Sequence, residues 1–153
     1  MGIKIVNIVP DDPIRSLPAL HSLCTLFDAT TGQPLALLDG PESTNRRTAA
    51  ASALAASWLA PAKAHTLLLV GSGQVARLLP DANHVVRPIE RVLVWSCDPQ
   101  HAGDLAEQLR ADGFDARAET SLEHAVAQAA VISCATLAHR PLVRRLAACA
   151  MPS

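Results

Sequence analysis

The hydrophobic rhythm of the chain changes near residue 40. Before that point, short β-branched and apolar runs are broken at intervals by polar residues. Ile3–Val9 (Ile-Lys-Ile-Val-Asn-Ile-Val) reads as a strand, with Lys4 and Asn7 interrupting an otherwise apolar run. Pro10-Asp11-Asp12-Pro13 is turn chemistry, and Pro18 lies in the same loop. Leu23–Ala29 reads as a second strand and Leu35–Leu38 as a third. Asp28-Ala-Thr-Thr-Gly-Gln-Pro34 between them is hairpin chemistry, with Gly32 available for positive φ. The first 40 residues therefore predict an antiparallel β-meander.

After Gly40-Pro41 the period becomes helical. Asn45–Ala60 is alanine-rich, with Ser43 or Thr44 as its expected cap and Pro61 as its stop. This start puts Arg46 and Arg47 in the first turn, where positive charge opposes the helix dipole. Each then reads equally as a solvated surface residue or as an anion ligand.

From Thr66 the pattern is repeated βα. Strands are expected at Thr66–Val70, Arg91–Ser96, Phe114–Ala118 and Ala130–Cys134. Helices are expected from Gly73 to about Val86, from Pro99 to about Asp112 with Gly113 just beyond, and from Ser121. Pro80 should kink or shorten the first of these helices. Near-continuous apolar strands spaced by helices predict a parallel sheet covered on both faces. Right-handed crossovers put the strand C-termini on one rim, and ligands bind at that edge in open α/β sheets. The fold class is therefore α/β: a partial Rossmann doubly wound sheet preceded by a β-meander. The expected division is 1–62 (meander plus alanine-rich helix), 63–144 (dinucleotide-binding domain) and 145–153 (an atypical tail).

The first βα junction carries the chemistry. Thr66–Ala76 is an apolar strand running into Gly-Ser-Gly-Gln-Val-Ala, the Gly-x-Gly-x-x-Ala form of a dinucleotide loop. Gly71 would allow the tight turn and Gly73 the approach of backbone to phosphate. Ala76 would let helix and strand pack closely. The free N–H groups of the helix N-terminus then face the pyrophosphate. At the end of the next strand, where an acid commonly holds the ribose 2′-hydroxyl, stands Ser96. Asp98 comes two residues late and reads as the cap of the helix that begins at Pro99.

Composition narrows the partners. Net charge over 153 residues is −1, which gives no electrostatic footprint for nucleic acid or an acidic membrane. The four cysteines (Cys24, Cys97, Cys134, Cys149) show no Cys-x-x-Cys pair and no metal-ligand spacing. They read as free thiols in a reducing compartment, so a cytoplasmic protein is expected and no metal site.

Several motifs occur together in one order: Lys4-Ile-Val-Asn7, Leu17-Pro18, Leu26-Phe-Asp28 with Thr31-Gly32-x-Pro34-Leu35-Ala36, and Arg47-Thr48-Ala49-Ala50-Ala51-Ser52. The glycine loop with Leu78-Leu79-Pro80 follows, then Val86-Arg-Pro-Ile-Glu-Arg-Val-x-Val-Trp95 and Ser133-Cys-Ala-Thr136. From residue 2 to about 144 the chain resembles the ornithine cyclodeaminase/μ-crystallin family, in particular its Δ1-pyrroline-2-carboxylate reductase branch. That resemblance implies a β-rich substrate and dimerisation domain, a Rossmann domain for NAD(H) or NADP(H), and a homodimer in the intact family. It assigns Lys4 and Arg47 to the substrate carboxylate. Gly71, Gly73, Gln74 and Val75 fall to the pyrophosphate, Ser96 to the adenosine ribose, and Thr136 to the cofactor-facing loop of the fourth strand. It assigns no catalytic acid or base here.

The implied reaction is hydride transfer from the nicotinamide to the C=N carbon of a small cyclic imino acid, giving L-proline or L-pipecolate. Conversion of L-ornithine to L-proline is the family's alternative. Against the family pattern the chain is short at both ends, and Arg145–Ser153 does not match, so a truncated copy of a reductase is expected. With the ribose grip replaced by Ser96-Cys97, weak cofactor binding is expected, as are uncovered apolar helix faces and a bare sheet edge on the Rossmann half.

Overall fold

The computed structural model describes residues 1–9, 17, 18, 20–136, 138 and 140–143. The Pro10–Pro13 turn, Cys149 and the 145–153 tail fall outside them. The chain divides into two compact units, Met1–Arg47 and a second beginning at Thr48.

In the first unit, β1 (Gly2–Ile8), β2 (Leu20–Phe27) and β3 (Pro34–Asp39) form an antiparallel sheet in the order β1-β2-β3. The register sets Lys4 opposite Cys24 and Cys24 opposite Leu38. The β2–β3 turn is built by Asp28, whose Oδ1 accepts from Thr30 N at 2.8 Å and Thr31 N at 2.7 Å, and Gly32 takes φ +73°. The predicted meander is present.

The helix that follows starts earlier than predicted. α1 spans Gly40–Leu59, and Asp39 Oδ1 accepts from Glu42 N at 2.9 Å. Asp39 thus supplies the cap in place of Ser43 or Thr44. Pro41 fits the first turn, where its missing N–H costs nothing. Arg46 and Arg47 consequently lie in the second turn, past the reach of the strongest dipole effect.

In the second unit, β4 (Thr66–Val70), β5 (Arg91–Trp95), β6 (Asp115–Ala118) and β7 (Val131–Cys134) form a parallel sheet in the order β6-β5-β4-β7. α2 (Gln74–His84), α3 (Pro99–Ala111) and α4 (Leu122–Gln128) make the crossovers. α2 continues through the buried Pro80 and stops at His84, two residues short of the predicted end.

The strand side chains alternate cleanly between the two faces. Leu67 and Leu69 of β4, with Val92 and Val94, pack on Ala76, Leu79, Leu105 and Leu109 of α2 and α3. Leu68, Val70 and Leu93 pack on Ala125 and Val126 of α4. Within α1, Ala49, Ala53 and Ala56 are buried at helical spacing, so the small side chains do form a contact stripe. Ser52 and Ser133 meet at 3.0 Å between their hydroxyls, which sets this part of α1 against β7.

The prediction of uncovered apolar faces on the Rossmann half holds only in part. Among the described residues β7 is a sheet edge, paired only with β4. The large exposed apolar side chains, however, lie almost entirely outside this sheet. They include Ile8 (69%), Leu37 (70%), Trp58 (82%) and Leu59 (85%) on β1, β3 and α1. The Rossmann strands escape because α2 and α3 cover one face and α4 the other. No helix among the described residues is long and apolar enough to cross a membrane.

Candidate cofactor cleft and cation pair

The glycine loop joins β4 to α2, and its two glycines have different work. Gly71 takes φ +118°, a value that side-chain-bearing residues avoid. Its N–H donates to Trp95 O at 2.8 Å, tying the turn to the end of β5. A Cβ at this position would lie 2.2 Å from Ala135 O, so β7 passes directly against the loop. Thr136 follows at once, with its backbone N 3.5 Å from that same Cβ position. The structure therefore brings Gly71 and Thr136 together.

Gly73 is the N-cap of α2, with extended backbone (φ −79°, ψ −175°) and no side chain to satisfy the first-turn N–H groups. No heavy atom beyond its chain neighbours lies within 4 Å of where its Cβ would be. The first intrahelical bond closes only at Arg77 N, to Gly73 O at 3.2 Å. The N–H groups of Gln74, Val75 and Ala76 precede that bond and so have no intrahelical acceptor at the positive end of the helix. The caps of α3 and α4 contrast with this. Asp98 accepts from Gln100 N at 2.9 Å and Ser121 from His124 N at 3.3 Å. Ala76 is fully buried beneath the loop, as the close helix–strand contact requires.

Beside this loop lies a cleft of about 390 Å³, lined by Ser72, Gly73, Gln74 and Arg77 from one side and by His101 and Asp104 of α3 from the other. Ser96, at the end of β5, reaches the loop through its hydroxyl, which accepts from Ser72 Oγ at 3.2 Å. Asp98 has the capping role read from the sequence. Arg77 and His101 were not singled out there. The signal for Arg77 was its place directly after Ala76, one turn into α2. The rim cysteines Cys97 and Cys134 are both exposed, and partial desolvation raises the thiol pKa of Cys134 and favours its neutral form.

The first unit carries the other predicted site residues. The Lys4 ammonium donates to Thr44 Oγ1 on α1, and that hydroxyl donates to Gly40 O at 2.7 Å. Thr44 and Arg47 are three residues apart and so share one side of the helix. The two adjacent arginines separate here. Arg46 pairs with Glu42 at 2.6 Å along the exposed helix surface. Arg47 is exposed and makes no ion pair among the described residues. A half-buried ammonium and an unpaired guanidinium thus share one side of α1, a donor set that suits a carboxylate. No cluster of potential metal ligands occurs among the described residues.

Residues 1–145 match the ornithine cyclodeaminase/mu-crystallin family. Among curated proteins, the chain is 40% identical over 143 residues to the delta(1)-pyrroline-2-carboxylate reductase of Paracoccus denitrificans, covering 93% of this chain and 45% of that protein. Among solved structures, it resembles the delta(1)-pyrroline-2-carboxylate reductase of Thermococcus litoralis in complex with NADH and L-proline. The TM-score is 0.87 at 32% identity, with 93% of this chain and 44% of that one covered. It also resembles a lysine cyclodeaminase described in its recognition of L-lysine, L-ornithine and L-2,4-diaminobutyric acid. There the TM-score is 0.82 at 35% identity, covering 94% of this chain and 43% of the other. The chain spans less than half the length of these relatives. With its meander, its βα sheet and its glycine loop in the same order, the chain belongs to the ornithine cyclodeaminase/mu-crystallin family.

Proposed function

We propose that the chain serves NAD(P)H-dependent reduction of a small cyclic imino acid, Δ1-pyrroline-2-carboxylate or Δ1-piperideine-2-carboxylate, to L-proline or L-pipecolate. The observation that carries this is the pair of cations on one side of α1, Lys4 bonded to Thr44 and Arg47 left unpaired, in a chain that also holds an open glycine loop.

The two features divide the work. Arg47 can grip the substrate carboxylate through two parallel N–H donors, and Lys4 adds a second positive charge held in place by Thr44. The open first turn of α2, with Gly71, Gly73, Gln74 and Val75, would hold the pyrophosphate. Ser96 would meet the adenosine ribose, and Thr136 would line the cofactor-facing loop. The donor set fits this role, because Gly73 leaves the N–H groups without a side-chain cap and leaves space for phosphate oxygens. When bound, the nicotinamide supplies the hydride, and the protein supplies position and electrostatics. The division into 1–62, 63–144 and 145–153 belongs to the same proposal, with all of α1 assigned to the substrate-binding part.

The test is oxidation of NADH and NADPH, followed by absorbance, with Δ1-pyrroline-2-carboxylate as substrate. Arg47→Ala is expected to raise KM by about tenfold or more, the worth of a charge-assisted hydrogen bond, with little change in cofactor affinity. Turnover unaffected by both Arg47→Ala and Lys4→Ala would refute the assignment of these residues. The likeness to a lysine cyclodeaminase favours a second reading, conversion of L-ornithine to L-proline. Ammonia release from L-ornithine without net cofactor consumption would select it. Cofactor binding without either reaction would mark the chain as a dinucleotide-binding protein.

A further inference from the structure

We propose that Ser52 is a positioning residue for the dinucleotide loop. Through its hydroxyl bond to Ser133 it holds the end of β7 against Gly71, and so tunes dinucleotide affinity from outside the cleft. The inference rests on the dinucleotide reading above and adds to it a residue that touches no cofactor.

Ser133 is a polar residue on β7 whose side chain is almost fully enclosed, with 7% exposure. A buried hydroxyl is costly unless it is hydrogen-bonded. Its partner is Ser52, half-buried on α1, with 3.0 Å between the two oxygens. Both line a groove of about 250 Å³ between α1 and β7, where their neighbours include Ala55, Ala56, Leu59 and Val131. In these apolar surroundings the two hydroxyls satisfy each other, and their bond ties the helix to the strand.

The glycine loop is clamped between two strand ends. On one side the Gly71 N–H donates to Trp95 O at 2.8 Å. β5 lies between β6 and β4, so that side is braced within the sheet. On the other side stands Ala135, two residues beyond Ser133. Its N–H donates to Val70 O at 2.9 Å, and its carbonyl oxygen lies 2.2 Å from where a Gly71 Cβ would be. β7 has β4 as its single strand neighbour among the described residues. Ser52 braces that weaker side. A small slip of β7 changes the approach of Ala135 to Gly71, and the loop carries the shift to Gly73 and the first turn of α2.

The experiment has a ligand-free and a ligand-bound arm, both on the full chain. Ser52→Ala should speed amide hydrogen exchange at Gly71 and Ala135 by about fivefold, the worth of one hydrogen bond, and leave the amides of α3 unchanged. In calorimetric titration it should weaken NADH and NADPH alike by about three- to fivefold. Ser133→Ala should match it, and the double variant should be no weaker than either single one, because all three remove the same bond. Ser52→Thr keeps the hydroxyl and should restore both readouts. Arg87→Ala frees the C-terminal carbonyls of α1 and leaves β7 alone, so it should lower stability at parent affinity. Parent-like exchange at Gly71 and Ala135 in Ser52→Ala would overturn the proposal and leave the dinucleotide reading intact. So would parent-like affinity in both alanine variants, or an equal loss of affinity in Arg87→Ala. If the parent chain, folded by circular dichroism, bound neither dinucleotide, both would fall.

Discussion

Gly71 and Gly73 are two residues apart in one loop, yet substitution should separate them completely. At Gly71 a side chain meets two penalties. The φ of +118° is a conformation that costs a residue with a Cβ about 1–3 kcal/mol. The Cβ itself would lie 2.2 Å from Ala135 O and 2.9 Å from Ala135 C. Both atoms are backbone, and Ala135 N is fixed to Val70 O at 2.9 Å, so relief requires prising the end of β7 from β4. Overpacking of this kind costs about 1–3 kcal/mol more. Gly71→Ala should therefore destabilise by about 2–6 kcal/mol, a large share of a single domain's stability.

At Gly73 the backbone is extended and the space is empty. Alanine there is slightly worse as a helix cap and slightly better in the unfolded chain, and these offset each other to within about 1 kcal/mol. Its methyl group, however, occupies the space where phosphate must approach the helix N–H groups. Urea unfolding followed by tryptophan fluorescence, alongside calorimetric titration with NADPH, reads both effects. Gly71→Ala should lower stability, whereas Gly73→Ala should lower affinity at nearly unchanged stability. A Gly71→Ala protein within about 0.5 kcal/mol of the parent would refute the packing argument. So would a Gly73→Ala protein that loses as much stability as Gly71→Ala.

Arg87 closes the C-terminal end of α1, with Nη2 donating to Ser57 O at 2.6 Å and Ala60 O at 3.0 Å, and Nε to Ala60 O at 3.2 Å. Arg87→Ala should cost about 1.5–3 kcal/mol in urea unfolding, since it leaves these carbonyls without their charged donor. Arg46→Ala should cost under about 0.5 kcal/mol in the same assay, because its pair with Glu42 is exposed on both sides (70% and 53%). Asp28 accepts from the Thr31 and Thr30 N–H groups and the Thr31 hydroxyl, which hold its carboxyl below the ordinary 3.8. A folded-state pKa below the unfolded one stabilises above pH 3.8, and that contribution is lost as pH falls through the folded value. The stability deficit of Asp28→Ala should therefore be full at neutral pH and shrink below pH 3.8, as urea midpoints across that range would show.

Much of the second unit was legible because its strands carry an unambiguous signal. Leu67–Val70 and Val92–Val94 are continuous apolar runs bounded by turn residues, and that reads as strands buried on both faces. The caps Asp98 and Ser121 and the turn at Gly113 were legible for local reasons, since each satisfies backbone groups within its own few residues. The start of α1 was not. Gly40-Pro41 looks like a breaker, but Asp39-Gly-Pro-Glu42 has the acceptor and acid spacing of a helix start, and proline is tolerated in a first turn. Arg77 and His101 were not legible as cleft residues for a different reason: only the topology sets α2 and α3 side by side on one face of the sheet.

That displaced helix start separates the two adjacent arginines, which helix position alone left equivalent and of which the family resemblance named only Arg47. With α1 beginning at Gly40, Glu42 lies four residues before Arg46 and pairs with it, whereas the residue four before Arg47 is Ser43, which carries no charge. Arg46 is thereby committed to the helix surface. Arg47 keeps its guanidinium free and shares a side with Thr44, the residue that holds the Lys4 ammonium. A single glutamate thus sorts the cations: it pairs with the one turned from Lys4 and leaves the other unpaired among the described residues. Glu42→Ala should then release Arg46 with almost no loss of stability and no change in substrate KM. Glu42→Ala together with Ser43→Glu would pair Arg47 in turn and should raise KM toward that of Arg47→Ala. If KM in that double variant stayed at the parent value, Arg47 would not be the carboxylate ligand.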